Sequence, residues 1–156
     1  MSKVERFWSR FLETNNYGKN IKYLDVFHFE LTEDLSNELL KLVLDGKKKA
    51  TSSSLKAYEI EGERIPQMGD LSIVTDWEGN PRCVIETKEV TIIPFKDITY
   101  DICKREGEDE CIETWRDGHR RFFEKESKEL GYEFSEDLLV ILKILKLFIE
   151  NNNMRK

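Results

Sequence analysis

The sequence predicts an α+β domain built on a small, curved antiparallel sheet. Three observations lead there. Segments with apolar residues at helical spacing are interleaved with short segments of alternating large side chains. Two of the short segments flank a glycine-bearing loop of hairpin length. The chain is also of one-domain size at 156 residues, and its 39% hydrophobic and 11% aromatic content suits a folded globular protein. A chain of this length can bury roughly two thirds of its unfolded surface.

Val4, Phe7, Trp8, Phe11 and Leu12 recur at helical spacing, so residues 3–14 form an amphipathic helix with that stripe buried. Asn15-Asn16-Tyr17-Gly18 ends it. Residues 23–31 alternate large side chains at Tyr23, Phe27, Phe29 and Leu31 and read as a strand. Thr32 or Asp34 can cap the next helix, whose inner face is Leu35, Leu39, Leu42 and Val43. Gly46 can take the left-handed conformation that ends a helix, and residues 50–58 then read as extended. Pro66 and Gly69 break the chain, residues 70–76 alternate again, Trp77-Glu78-Gly79-Asn80 turns, and residues 82–93 return. Pro94-Phe95-Lys96-Asp97-Ile98 leaves the sheet. A short helix is expected over 99–105. Ile112, Trp115, His119, Phe122, Phe123, Glu126 and Leu130 mark one face of a long helix that Gly131 terminates. Residues 138–149 fit a buried helix or a strand, and the β-branched Val140, Ile141, Ile144 and Ile149 lean them towards strand. Residues 1–150 read as one domain, with the 3–14 helix packed on it, and 151–156 as a frayed polar tail.

Thirty-one acidic against 25 basic residues give a formal charge of -6, which argues against a protein coated in phosphate-binding charge. A local basic cleft is still allowed, because recognition depends on the field at the site. No apolar run reaches the ~18 residues of a membrane span, and Met1-Ser2-Lys3-Val4-Glu5-Arg6 lacks a signal-peptide core. The expectation is a cytoplasmic chain with no membrane partner. Cys83, Cys103 and Cys111 lack a C-x-x-C spacing and read as reduced thiols.

The stretch with most chemistry follows Gly46. Lys48 and Thr51 stand three residues apart just past a helix-to-strand turn, where side chains often line a cleft. A lysine beside a hydroxyl can bind an anion, or activate the hydroxyl if its own pKa is lowered. The same residues also fit a solvated basic turn. Lys47, Lys48, Lys49 and Lys56, with Ser52, Ser53 and Ser54 between them, make the best phosphate-binding stretch. A second candidate is Trp115, Arg116, His119 and Arg120, where an aromatic ring beside arginines could hold single-stranded RNA. Against it, a tryptophan in an apolar helical stripe is core, and a buried histidine most often satisfies a carbonyl. Glu106, Glu108, Asp109 and Glu110 could hold Mg²⁺ but read more simply as a solvated bend leading into a helix. His28 and His119 with three scattered cysteines make no zinc set. Cys111 and His119 would be roughly 12 Å apart along a helix, and nothing supports pairing Cys103 with His119. No metal and no cofactor is called for.

The ordered series of motifs is specific where each alone is weak. It runs through Gly46 to Thr51, Pro66 to Asp70, Gly79 to Val90, Pro94-Phe95, Glu106-Gly107-Glu108, Trp115 to Phe123, and Phe134-Ser135. From about Phe27 to Phe148 the chain resembles the ASCH domain family. The resemblance implies a PUA-like fold, a small antiparallel β-barrel with surrounding helices, and a cleft for RNA or a nucleotide-like small molecule. Some relatives are amidohydrolases acting on N4-acetylcytidine, and some are reported to cleave RNA. In the amidohydrolases a Lys-x-x-Thr pair works with a glutamate from a later strand, which the resemblance places at Lys48, Thr51 and Glu86. The chain departs from the pattern at the acidic stretch after Gly107 and at Leu142-Lys143-Ile144, where Glu-x-Phe is usual. The expected cleft is therefore lined by Lys48, Thr51, Ser52 and Glu86, with Arg116 and His119 at its rim. The leading function is recognition of RNA or a nucleotide-like ligand, and the alternative is hydrolysis of an acylated pyrimidine nucleoside. A protein-interaction adaptor is a third class, which an exposed apolar patch near Trp8 and Phe11 would favour.

Overall fold

The computed structural model describes residues 1–29 and 32–148. Its five strands are β1 (Asp25–Phe27), β2 (Ala50–Ser54), β3 (Leu71–Thr75), β4 (Pro81–Pro94) and β5 (Leu139–Phe148). They form one sheet in the order β1-β3-β4-β5-β2. Around it lie α1 (Lys3–Thr14), α2 (Glu33–Leu44), α3 (Leu55–Glu61), α4 (Tyr100–Cys103) and α5 (Ile112–Leu130). This is the α+β, PUA-like arrangement. The long strand β4 pairs with β3 through its first half and with β5 along most of its length. Its register slips between Thr87 and Glu89, and such a bulge bends a strand, so the sheet curls into a half-barrel.

Three apolar clusters fix the layers. Phe7, Trp8, Phe11 and Leu12 of α1 pack on Leu71, Ile73 and Val84. Leu40 and Val43 of α2 pack with Val74, Cys83, Ile85 and Leu145. Trp115 and Phe123 of α5 close over Phe95, Ile98 and Val140. Since Trp8 and Phe11 are each only 8% exposed, they offer no docking patch, and the adaptor reading loses its support.

Several expectations change. The strand foreseen over 23–31 is only Asp25–Phe27, and it runs parallel to β3, so one edge of the sheet is not antiparallel. Tyr23 instead packs edge-on against Trp8. Positions 30 and 31, Ile149, and the 151–156 tail lie outside the described residues. The extended reading of 50–58 stops at Ser54, whose hydroxyl accepts from the Ala57 N–H at 3.0 Å and starts α3. Leu35 is not on the inner face of α2: it is 46% exposed, and Ser36, Leu40 and Val43 are buried instead. Residues 139–148 are a strand. Among the described residues no helix is long and apolar enough to cross a membrane.

Ser54 also donates to Glu126 Oε1 at 2.8 Å, tying β2 to α5. Ser54→Ala removes the cap and that bond together. The expected loss is about 1–2 kcal/mol in urea unfolding, and an unchanged midpoint would contradict this account.

Candidate functional site

The junction from α2 to β2 is held by its main chain. Gly46 adopts φ +76°, and the N–H groups of Lys47 and Lys48 both donate to Leu42 O, at 2.9 and 3.0 Å. This tight turn sends Lys48 inward, where it is 5% exposed, while Lys47 and Lys49 stay in solvent. The loop after α4 is clipped to the same turn. Lys49 N–H donates to Arg105 O at 2.6 Å. Gly107, at φ +73°, passes so close that a Cβ there would lie 2.3 Å from Lys47 O. Glycine at this position lets the flanking Glu106 and Glu108 reach Lys48.

Glu106 is 1% exposed and takes donors from three elements. Its Oε1 lies 3.5 Å from Lys48 Nζ, 3.3 Å from Ser52 Oγ and 3.3 Å from His119 Nε2. Its Oε2 accepts from Trp115 Nε1–H at 2.8 Å. Lys48 Nζ is also paired with Glu108 and sits 5.8 Å from the Phe29 ring centre. His119 faces oxygen at both ring nitrogens, with Nδ1 3.0 Å from Trp115 O. In its imidazolium form each nitrogen would have an oxygen to donate to. The ring stacks on Trp115 at 4.1 Å and 17°, a placement that favours a cation.

The titration shifts follow from these contacts. Burial pushes the Glu106 carboxyl up, but the Lys48 charge, the His119 contacts and the Trp115 hydrogen bond outweigh it and hold the carboxyl at about 2. At Glu108 burial prevails and the carboxyl is raised despite Lys48. Burial works against a charged His119, yet the hydrogen bond and charge of Glu106, then Glu108, raise it.

These groups line a hollow of about 80 Å³, with Thr51 and Phe122 on its wall. The Thr51 hydroxyl oxygen is buried and has no hydrogen-bond partner. Next to the hollow, and sharing His119, Glu108 and Phe122 with it, runs a groove of about 450 Å³ between α2 and α5. Leu35, Leu39 and Leu42 line it opposite Arg121 and Lys125. One ligand atom each from Glu106, Glu108 and His119 lie within 4.8 Å of one another, close enough for a metal ion. In this structure both carboxylates already face Lys48 Nζ, and Glu106 also accepts from Trp115. As built, the cluster is an ion-pair network.

The structure brings together Lys48, Thr51, Ser52 and His119, and it does not bring Glu86 to them. Glu86 lies opposite Leu71 and Lys146, on the sheet face that Leu71 gives to α1, with its carboxylate 3.7 Å from Lys88 Nζ. The acids at Lys48 are Glu106 and Glu108, from the stretch that reads in sequence as a solvated bend. Trp115 is 1% exposed, so its ring offers no platform for a base and serves as donor to Glu106. Arg116 donates to Ile98 O at 3.0 Å, and Arg120 forks onto Glu136 at 3.0 and 3.1 Å, which makes both structural here. Ser53 is half-buried and bonds to Tyr58. Burial raises the Cys103 thiol to about 12, which leaves it a poor nucleophile.

The curled five-stranded sheet with its surrounding helices defines the PUA-like α+β fold. A family profile described as the ASCH domain matches residues 25–147, and the chain belongs to that family. A crystal structure of an ASCH domain from Lactobacillus crispatus is 32% identical, covers 95% of each chain and superposes with a TM-score of 0.83. A protein from Enterococcus faecalis is 30% identical over 94% of this chain and 88% of its own, with a TM-score of 0.86. Among functionally curated proteins none matches.

Two outcomes are expected. Gly107→Ala combines a strained positive φ with the Lys47 O clash and should cost about 2 kcal/mol or more by denaturant melting. The network should also give a pH window. Glu106 titrates below its ordinary 4.5, so its contribution is complete above 4.5 and lost as pH falls through about 2. His119 titrates above its ordinary 6.5, so its contribution is complete below 6.5 and lost as pH rises through the raised value. Melting temperature should fall above 6.5, and His119→Asn should flatten that fall. A native protein whose melting is flat there contradicts the network.

Proposed function

We propose that the hollow beside Lys48 binds the polar edge of a nucleoside, free or within single-stranded RNA, while the groove between α2 and α5 takes what is attached to it. The supporting observation is charge balance in a confined space. Two cations, Lys48 and His119, face two carboxylates, Glu106 and Glu108. A phosphate entering the hollow would meet both carboxylates, whereas a neutral base edge finds donors and acceptors together. Phosphates of an RNA strand fit the rim better, where Lys47 and Lys49 are exposed and Arg121 and Lys125 line the groove. Such contacts position a backbone and weaken with salt.

A second reading, hydrolysis of an amide on the bound nucleoside, is favoured by Thr51, a residue lining the hollow whose hydroxyl is buried without a partner. A buried polar atom left unpaired is costly, and such atoms often mark function. In this reading Thr51 Oγ attacks the acyl carbon. Lys48, paired with Glu106 and Glu108, donates to the oxygen on which charge develops.

Calorimetric titration with cytidine and with N4-acetylcytidine tests both readings, with chromatography to follow release of cytidine. Lys48→Met should weaken binding of either ligand by about tenfold or more, the loss of a charge-assisted hydrogen bond. Thr51→Ala should bind almost as the native chain does and release no cytidine. Equal binding by native and Lys48→Met protein sinks the binding reading, and equal release by Thr51→Ala sinks the hydrolytic one.

A further inference from the structure

We propose that Gly118 on α5 determines which ligands this chain accepts. Its bare Cα and the Arg121 guanidinium form the floor of a slot for a second base, next to the one whose edge enters the hollow. The ligand is then a single strand of RNA and not a free nucleoside, which deepens the binding reading above and rests on it.

Glycine is a poor residue for the interior of a helix, because it gives up the most backbone freedom on folding. Gly118 nevertheless stands in the middle of α5. Neither backbone nor packing asks for it. Its φ is not positive, and among the described residues a Cβ built there would meet only Arg121 Nη2, at an ordinary 3.9 Å. A larger side chain would instead fill the groove, which Gly118 lines.

Two helical stripes face each other across that groove. Thr114, Gly118, Arg121, Phe122 and Lys125 follow the three- and four-residue spacing of one α5 face, and Leu35, Leu39 and Leu42 do so on α2. Every α5 member except Gly118 carries a side chain. The groove's volume of about 450 Å³ lies within the ~300–1,000 Å³ range of small-ligand pockets. It continues into the hollow, since Glu108, His119 and Phe122 line both.

The chemistry of the walls suits a flat, neutral occupant. The Arg121 guanidinium ends over the glycine, and among the described residues neither it nor Lys125 is held by an ion pair. Guanidinium planes stack on nucleobases, and the α2 leucines supply an apolar wall for the opposite ring face. Glu38 and Asp109 also line the groove, so a phosphate on its floor would meet acids, whereas a base edge finds acceptors there and a hydroxyl at Thr114. Lys125 and the exposed Lys47 and Lys49 are left to the phosphates of the strand.

Calorimetry on the whole chain tests this with three ligands: cytidine, a trinucleotide of cytidine flanked by uridines, and the same strand with abasic flanking positions. The phosphates of the two strands are identical, so their affinity ratio reads the flanking bases alone. The native chain should prefer the base-bearing strand by about tenfold or more, the worth of one stacked base. Gly118→Leu, which fills the slot, should bring the ratio close to one. Arg121→Met should do the same, and so should Arg121→Lys, which keeps the charge but loses the plane. Lys128→Met removes an α5 charge outside the groove and should keep the native ratio within about twofold. Gly118→Ala should melt above the native chain, because alanine suits a helix better and its methyl meets no close neighbour.

A native ratio near one, with cytidine still bound, overturns the slot and leaves the binding reading in place. So does a native-like ratio in Gly118→Leu or in Arg121→Lys, or a collapsed ratio in Lys128→Met. Melting of Gly118→Ala below the native chain shows a glycine required by the fold and overturns the assignment too. If Gly118→Leu does not fold, the variants at the exposed Arg121 decide. Binding of neither cytidine nor the strands overturns the binding reading and this inference with it.

Discussion

A carboxylate withdrawn from water, that of Glu106, is the constraint around which the functional end of this domain is organised. Its hydrogen-bonding and charged partners come from the turn after α2, from β2 and from α5. A buried carboxylate without such partners would cost several kcal/mol. Each partner is therefore held to a narrow position, and so are the elements that carry it. The Trp115 indole joins the apolar cluster beneath α5 to this polar centre, since the ring packs on Phe95 while its N–H serves Glu106. Core packing and site geometry are fixed by the same side chain.

That coupling explains the chemistry the hollow offers. The fixed charges nearly cancel, so on the proposed reading the hollow would select by hydrogen-bond pattern and shape more than by net charge. The groove beside it is of another kind, with leucines from α2 facing basic side chains from α5. A ligand that spans both would place a small polar group in the hollow and a larger body along the helices. The ASCH family assignment rests on the whole fold, whereas the functional reading rests on these few contacts.

Local periodicity made much of the fold legible. The 3–14 helix, the Gly46 stop, the loop at Trp77 to Asn80 and the long α5 are each set by neighbouring residues, and each stands where the pattern put it. Lys48 and Thr51 were likewise visible as chemistry just beyond a helix end. What the sequence hid depends on distant partners. Three serines in a row read as extended chain, and only the third becomes a helix cap. Leu35 fits the apolar stripe of α2 yet turns to the groove. Glu106 sits in an acidic run, where solvation is the default expectation, and nothing nearby announces Lys48, fifty-eight residues earlier. Its one local signal is the glycine between two glutamates, which permits the close approach to Lys47. The resemblance set Glu86 beside Lys48 and Thr51, but the register of β4 turns it to the other face.

The clip between the α2–β2 turn and the loop after α4 is built from main-chain atoms: Lys49 N–H on Arg105 O, and the bare Cα of Gly107 against Lys47 O. Lys47, Lys49 and Arg105 point their side chains into solvent. Substitution at these three places can reset the electrostatic character of the entrance without moving the anchored acid behind it. Under the proposed function, affinity for a long polyanion and selectivity for a small guest would thereby be free to evolve separately, on one unchanging scaffold.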